Sequence, residues 1–256
     1  MLQPVSPDRR HRRRQETIEE IVDIAVAIMA EEGAGSLSLG EVARRIGIRP
    51  PSLYVYFDSK NALYDEIFGR GWQALLDVVG QYEPLVVNGD DPAAAVQASA
   101  EECVRWAMAH PAHAQLMFWR PVPGFEPSPA AYRPAIEVMQ RTTSMLGALR
   151  VRGILRADID VTEAAGVWTS LVSGVISQQL SNAPGEPYEK GSFTRLLPHM
   201  VAMYLAHYGP EGRTHDGAGA TRSRPGSTGD GSKPRRSAGG SAIRRAPGTA
   251  AEPRRR

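Results

Sequence analysis

The chain has 256 residues, of which 42% are hydrophobic, so it is long and apolar enough for more than one packed unit. A single cysteine excludes an internal disulfide and leads us to expect a reducing, cytoplasmic compartment. No apolar stretch approaches the roughly 18 residues of a membrane span, and the N-terminal arginine run is not followed by the apolar segment of a secretory signal.

The net charge of +2 conceals an uneven distribution. Residues 1–14 carry five Arg against one Asp, and residues 211–256 carry eleven Lys and Arg against four acidic residues, so the part between them has a net charge of −9. We predict that 1–14 is a basic flexible arm, either attracting phosphates or serving only as a charged leader. Residues 210–256 are predicted to be a disordered basic tail, with a weak electrostatic role or none beyond solubility.

The first predicted elements are two amphipathic helices. Apolar residues recur at helical spacing over 15–32, which predicts a first helix closed by Gly33. A second begins after Ser38, because Ser38 and Glu41 match a capping box, in which the Ser hydroxyl accepts from the first turn and the Glu carboxylate reaches back. Gly47 follows the last apolar residue and is expected to end this helix.

A third helix is predicted to begin at a proline pair. Arg49 is expected at its N-cap, because Pro50 and Pro51 are tolerated only in the first turn. Leu53 and Phe57 then face inward. The outward face is uncharged and consists of Pro51, Ser52 and Val55, with Tyr54 and Tyr56 on its flanks. Such a face fits the major groove of DNA, where an apolar side chain meets a thymine methyl and hydroxyls meet phosphates.

This segment resembles the helix-turn-helix of the TetR family of bacterial one-component transcriptional regulators, which ends in the pattern Gly-Val-x-x-x-Thr-Leu-Tyr-x-His-Phe-x-x-Lys. The matching residues are Gly47, Ile48, Ser52, Leu53, Tyr54, Tyr56, Phe57 and Lys60. The close match covers roughly residues 15–70. The chain departs from the pattern at Tyr56, where His is common, and at Pro50 and Pro51, which remove two backbone donors.

The resemblance implies a homodimeric, effector-responsive regulator, most often a repressor, that binds a palindromic operator. It implies that Ser52 and Tyr54 contact bases or backbone, that Tyr56 and Lys60 hold phosphates, and that Arg49 reaches a base edge. With the outward face and nearby basic side chains, the candidate DNA-binding residues are Arg49, Pro51, Ser52, Tyr54, Val55, Tyr56, Lys60, Arg44, Arg45, Arg13 and Arg14. The DNA-binding domain is predicted at 15–62 and the helical effector-binding and dimerisation domain at 63–209.

The rest of the chain is also predicted to be helical. Pro84 is expected to end the fourth helix, and the five prolines between 121 and 134 predict a loop. No segment alternates with period two for long enough to demand a strand, so the fold class is predicted to be all-α. The predicted helices are 61–82, 92–110, 116–119, 136–149, 161–180 and 193–208.

Large apolar side chains near the proline-rich loop suggest an effector pocket, because interrupted helices leave concave gaps. The same residues fit plain core packing, since aromatic residues and Met at helical spacing commonly form cores. The candidate pocket residues are Trp106, Met108, Met117, Phe118, Trp119, Tyr132, Met139 and Trp168.

The last two predicted helices combine small and apolar residues and suggest a two-fold four-helix interface that would space two recognition helices. The alternative is that both helices close a monomeric core. The candidate interface residues are Val167, Leu171, Gly174, Val175, Leu197, Met200, Val201 and Tyr204.

Other chemistries find little support in the sequence. Cys103 and His110 lie about two helical turns apart with His113 nearby, but Pro111 interrupts the helix and a fourth ligand is lacking, so neither a metal nor a cofactor is expected. Nucleophile elbows, phosphate loops and H-E-x-x-H motifs are absent, which argues against an enzyme. The alternative to a DNA-binding regulator is a helical protein-interaction module that uses the outward tyrosines; only DNA binding should weaken steeply with salt.

Overall fold

The computed structural model describes residues 7–210, with side chains from Arg9 onward, and this range is all-α, as predicted. Short 3₁₀ turns at Ala34–Ser36, Tyr188–Lys190 and Thr194–Leu196 accompany the helices. The helices of the described range are α1 (Pro7–Glu32), α2 (Leu39–Ile46), α3 (Pro50–Leu53), α4 (Lys60–Asn88), α5 (Pro92–Ala109), α6 (Pro111–Trp119), α7 (Pro129–Val151), α8 (Val161–Asn182) and α9 (Leu197–Tyr208).

The first helix begins earlier than the sequence predicts. Helix α1 starts at Pro7, so the predicted flexible arm is wrong for residues 7–14. Proline is favourable in a first turn, and the Arg and Gln residues that follow are good helix formers with no breaker before Gly33. Residues 1–6 of the predicted arm and 211–256 of the predicted tail lie outside the described residues.

The caps of α2 explain its sharp boundaries. The Ser38 hydroxyl accepts the backbone N–H of Glu41 at 3.3 Å, and Gly47 closes the helix in the left-handed region at φ 81°. The Glu41 carboxylate does not reach back, contrary to the predicted capping box. It accepts hydrogen bonds from the guanidinium groups of Arg44 and Arg45 instead, where both partners are ionised.

Two prolines that were predicted to mark breaks lie inside helices. Helix α4 passes through Pro84 to Asn88, and burial of Val86 offsets the hydrogen bond that proline removes. Arg152 donates to the carbonyls of Val86 and Gly89 at 3.3 and 2.6 Å, which satisfies the end of α4. Helix α7 likewise contains a buried Pro134 and begins at Pro129, so the predicted loop is shorter than 121–134.

The buried apolar residues form two clusters. One joins α1, α2 and α3 to the first half of α4 and to α6, and it extends along α4 to Leu75. The other joins the later part of α4 to α5, α7, α8 and α9. Because α4 contributes to both clusters, the predicted boundary between residues 62 and 63 falls within a continuous helix and its core. Within 7–210, we find no helix whose length and hydropathy would let it cross a membrane.

Candidate functional site

The exposed segment after α2 presents the predicted outward face. Leu53 and Phe57 are buried, whereas Tyr54 and Val55 are 56% and 72% exposed. The backbone N–H groups of Tyr56 and Phe57 both donate to the Leu53 carbonyl, at 2.9 and 3.0 Å, so the chain tightens and α3 ends at Leu53, earlier than the spacing predicts. Arg49, Pro51 and Ser52 are exposed beside them. A protruding, largely uncharged surface of this shape can enter a nucleic-acid groove.

Arg45 ties α2 to α1. Its guanidinium nitrogens lie 2.8, 3.3 and 2.9 Å from carboxylate oxygens of Glu31, Glu32 and Glu41. Hydrogen bonds from Arg44 and then Arg45 lower the pKa of Glu41 to about 2. The Arg44 side chain is 72% exposed, and it donates to the Glu41 carboxylate. The structure therefore places Arg45 in an ion-pair network between helices and leaves Arg44 at the surface.

Lys60 lies at the start of α4, against the turn that follows α1. Its Nζ donates to the Gly35 carbonyl at 3.0 Å and lies 5.3 Å from the centroid of the Tyr64 ring. The Tyr64 hydroxyl donates to the neighbouring Ala34 carbonyl, and burial raises the pKa of this hydroxyl to about 12, so it remains a donor. One of the three N–H donors of Lys60 is thereby used within the chain.

The basic residues near the N-terminus stand on the first turns of α1. Residues 9–14 are exposed, Arg13 and Arg14 among them. The guanidinium carbon of Arg14 lies 5.8 Å from the centroid of the Tyr56 ring, within cation–π range. This contact joins the basic end of α1 to the exposed segment that follows α3.

An apolar cavity lies among α4, α5, α6, α7 and α8 and has a volume of about 70 Å³. Of the predicted pocket residues, Phe118 and Trp168 line it. Its polar wall is made by four hydroxyl-bearing residues: Ser99, Thr142, Thr169 and Ser173. None of the described lining residues is acidic, basic or a histidine. The cavity can therefore hold an apolar molecule and offers a few hydrogen-bonding groups to orient it.

The other six predicted pocket residues do not line this cavity. Met117 packs in the first core cluster and Met108 against the second. The other four are Trp106, which stacks on His110; Tyr132, which stacks on Phe68; Trp119, which donates to Ser177 at 3.0 Å; and Met139, which is exposed. Residue size and spacing do not distinguish a core side chain from a cavity wall.

Sequence reasoning missed most of the wall, including Trp72, Cys103 and Val172. The available signal was a hydroxyl on an otherwise apolar helix face, as at Ser99 on α5 and Thr142 on α7. The Trp72 Nε1–H is buried and has no hydrogen-bond acceptor among the described residues. Buried donors without a protein partner are uncommon, so this group is a point of interest beside the cavity.

Cys103, His110 and His113 do not form a metal site with one another. Burial raises the pKa of the Cys103 thiol to about 12, and the His110 Nδ1 lies 2.8 Å from the Trp106 carbonyl. His113 is half-buried, and its buried Nδ1 has no hydrogen-bond partner among the described residues. Burial, with His110 and Arg70 nearby, lowers the pKa of His113 to about 4 against the opposing charge of Asp23. Across the described range, His, Cys, Asp and Glu form no group of three or more suited to a metal.

The predicted interface residues divide into surface and core. Val167 is 43% exposed, Leu171 and Met200 are half-buried, and a β-carbon added at Gly174 would meet open space. The other four pack in the chain's own core, and this burial argues against Val175, Leu197 and Val201 as interface residues. Tyr204 also borders the surface groove that Val167, Leu171 and Met200 line. The Tyr204 hydroxyl donates to the Ala164 carbonyl at 2.9 Å, which joins α9 to α8 within one chain. Met203, which was not predicted, is 71% exposed beside them.

Two family models match the chain. The model of "Bacterial regulatory proteins, tetR family" matches residues 21–67, which include α2, α3 and the start of α4. The model of the "Tetracyclin repressor-like, C-terminal domain" matches residues 96–203, which include most of the cavity wall. Together the two matches span well over half of the chain, and both belong to the family that the helix-turn-helix pattern resembles.

Sequence and structure searches agree with these models. The HTH-type transcriptional repressor KstR2 of Rhodococcus jostii is 39% identical over 79 residues, which are 31% of this chain and 37% of KstR2, so the chain spans little more than a third of that relative's length. The TetR family regulator PfmR of Thermus thermophilus has a TM-score of 0.58 at 18% identity, over 75% of this chain and 98% of PfmR. The FadR of Bacillus subtilis, in complex with stearoyl-CoA, has a TM-score of 0.61 at 13% identity, over 73% of this chain and 97% of FadR. Both structures show the fold.

Proposed function

This chain belongs to the TetR family of bacterial transcriptional regulators, and on that premise we propose that it binds a two-fold-symmetric DNA operator as a homodimer and releases it when a small molecule occupies the cavity. The observation that carries this proposal is the pairing of an exposed helix-turn-helix with an apolar cavity through two shared helices, α4 and α6. We propose that the chain is a repressor, as is most common in this family, and that it acts in the cytoplasm.

The exposed segment around α3 is proposed to read the operator. Arg49 at the N-cap is the cation best placed to reach a base edge, where a guanidinium binds guanine in bidentate fashion. Pro51 and Val55 supply apolar surface for a thymine methyl, and the hydroxyls of Ser52 and Tyr54 supply hydrogen bonds. Base recognition would then depend on one charged side chain and on shape.

Attraction to the phosphates is proposed to come from the basic end of α1, together with Arg44 and Lys60. The predicted residues Arg13 and Arg14 stand on a helix, and Arg14 contacts the Tyr56 ring, so their charges are held near the reading surface. Lys60 retains donors that its bond to Gly35 does not use. We assign Arg45 a different role, because its three carboxylate partners make it a brace between α1 and α2.

Dimerisation is proposed to use the outer faces of α8 and α9. Val167 and Leu171 on α8 lie around one surface groove with Met200 and Met203 on α9. Exposed apolar groups of this density are typical of interfaces between subunits. A two-fold axis through this face would place two α3 segments for successive major grooves of one operator.

Release is proposed to act through α6 and α4. Phe118 of α6 and Trp72 of α4 line the cavity and contact each other with ring centroids 5.5 Å apart. The preceding residue, Met117, packs in the first core cluster, which joins α1, α2 and α3 to α4 and is called the DNA-side core. There it lies against Gly71, where an added β-carbon would overlap the Met117 side chain. A ligand that moves Phe118 would therefore also move the adjacent Met117 and disturb its contact with Gly71 in this core. Operator affinity would fall by the ratio of the ligand's affinities for the two states.

Selection of bound duplexes from a random DNA pool tests this function. The full chain should enrich an inverted repeat whose half-sites are separated by a whole number of helical turns, because a two-fold dimer presents two identical reading surfaces. Enrichment should weaken steeply between about 50 and 200 mM salt. A pool that retains no common sequence after several rounds would contradict sequence-specific operator binding and favour the protein-interaction alternative.

A further inference from the structure

We propose that the cavity selects an uncharged, mainly apolar molecule that carries a hydrogen-bond donor such as a hydroxyl, and that it rejects carboxylates and ammonium ions of the same shape. This inference rests on the proposed function, which assigns the cavity to the effector, and adds the chemical class of that effector. It is argued from the wall of this chain's own cavity.

The first observation is the neutrality of the wall. Sixteen residues from five helices line the cavity, and none of these described residues is acidic, basic or a histidine. Cys103 is the lining group with a titratable proton nearest to neutrality, and burial raises its pKa to about 12, so it carries no charge at pH 7. An ion placed in such a wall loses its hydration without gaining a counter-charge, which is far costlier than burying a neutral polar group.

The second observation is the orientation of the hydroxyls. Thr142, Thr169 and Ser173 each donate to a carbonyl of their own helix, at 2.8, 2.8 and 2.7 Å. Their protons are therefore used, and what remains at these oxygens is acceptor capacity. A ligand that donates a proton can bind these three oxygens, whereas a carboxylate oxygen, which only accepts, cannot.

The third observation concerns the donor side. Trp72 lines the cavity, and its buried Nε1–H has no acceptor among the described residues. A hydroxyl group both donates and accepts, so one such group on a ligand is suited to a wall that combines free acceptors with an unsatisfied donor. An ammonium ion donates only and would leave the Trp72 donor unpaired while adding a buried charge.

The size of the cavity limits the apolar part. Its volume of about 70 Å³ is roughly half of the ~150 Å³ of an engineered cavity that accepts benzene. A ligand of six or more carbon atoms would therefore either extend through the open side of the cavity or displace part of the wall. A ligand that displaces the wall binds the displaced state better than the one described here, which is the differential affinity that a release mechanism needs.

A matched ligand series tests the class directly. Hexan-1-ol, hexanoate and hexylammonium share one apolar frame and differ in the polar group, and their binding to the full chain at pH 7 can be measured by saturation-transfer NMR titration. Hexan-1-ol should bind saturably and at least tenfold more tightly than either ion. Equal or tighter saturable binding of hexanoate or hexylammonium, or no saturable binding of hexan-1-ol, would overturn the proposal.

A cavity-filling variant assigns the signal to this site. Val172→Phe adds bulk to the wall, while Val87→Phe adds the same bulk at a 40% exposed position outside it. Hexan-1-ol binding should be lost in V172F and kept in V87F. If V172F does not fold by circular dichroism, Ala100→Leu, also in the wall, replaces it. Undiminished hexan-1-ol binding in a folded cavity-filled variant would overturn the proposal.

The result is separable from the proposed function, because ligand binding is measured without DNA. If hexan-1-ol binds as expected but no operator is selected from random DNA, the ligand class stands and the regulator proposal fails. If an operator is selected but the cavity prefers an ion, the ligand class fails and DNA binding stands.

Discussion

Two regions of the chain differ in their charged side chains: the cavity, and the end formed by α1, α2, α3 and the start of α4, which is proposed to bind DNA and is called the DNA-facing end. At the DNA-facing end, arginines on the first turns of α1 and at Arg49 are exposed, whereas the described cavity wall has no acidic or basic side chain. The DNA-facing end is proposed to attract a polyanion, for which exposed cations act over long range. The cavity is proposed to bind a ligand by burying its apolar surface, and an unpaired charge in the wall would oppose that burial. One chain therefore separates attraction from ligand selection by the placement of its ionisable groups.

The two regions nevertheless share α4 and α6. Phe118 lines the cavity while its neighbour Met117 packs in the DNA-side core, so a single turn of α6 has one side chain in each region. His113, one turn before Met117, is half-buried where α6 meets α1 and α4, close to Asp23 and Arg70; this junction is called the seam. The difference between the regions is thus maintained across a narrow, tightly packed contact.

The largest effects should come from placing the same acidic residue in each region. Ile176→Asp buries a carboxylate in the cavity wall and should lower the free energy of unfolding by about 4 kcal/mol or more, measured by urea denaturation. Val55→Asp, at a 72% exposed position, should leave stability within about 0.5 kcal/mol but abolish DNA binding by repulsion of phosphates. Unchanged stability of Ile176→Asp would contradict a cavity wall that excludes charge, and normal DNA affinity of Val55→Asp would contradict the proposed reading surface.

The seam should give stability a specific pH dependence through His113. Its pKa is about 4 in the folded chain and 6.5 ordinarily, so between these values the unfolded chain binds the extra proton. The free energy of unfolding should therefore fall as the pH is lowered from 6.5 to 4, by up to about 3 kcal/mol. His113→Gln, which cannot titrate, should flatten this part of the curve in denaturation measured at each pH; an identical slope in both proteins would contradict the assignment.

Arg49→Ala should distinguish a base contact from a backbone contact within the DNA-facing end. Loss of a base contact should cost about 1–3 kcal/mol on the selected operator and relax the preference at one base pair, with little change on random DNA. Arg150→Ala is the control, because Arg150 is exposed near the end of α7, away from the reading segment. Fluorescence anisotropy titrations measure both variants; equal losses on operator and random DNA would show that Arg49 contacts only the backbone.

The smallest effects should separate two adjacent arginines. Arg45→Gln removes the ion pairs between α1 and α2 and should lower the free energy of unfolding by about 1 kcal/mol. Arg44→Gln should leave stability nearly unchanged and reduce the salt dependence of DNA affinity, because this exposed side chain is proposed to meet a phosphate. If the two variants exchanged these phenotypes in melting and titration experiments, the assignment of brace and phosphate contact would be reversed.

Local rules predicted the frame of the fold better than its pockets. The capping serine at 38 and the glycine at 47 bound α2 as predicted, because caps depend on neighbouring residues alone. The proline rule failed at Pro84 and Pro134, where tertiary packing offsets the lost hydrogen bond. The cavity wall was mostly missed, since it depends on which faces of five helices converge. The ion pairs of Arg45 were not predicted because its partners Glu31 and Glu32 lie more than ten residues away in sequence.

A hydroxyl-radical footprint of the full chain on the selected operator tests the central claim most directly. The account predicts two protected segments on one face of the duplex, their centres a whole number of helical turns apart, with both weakened by Arg49→Ala. Protection spread evenly along the fragment, and unchanged by Arg49→Ala, would show that the exposed arginines hold DNA without a reading surface, and it would contradict the account.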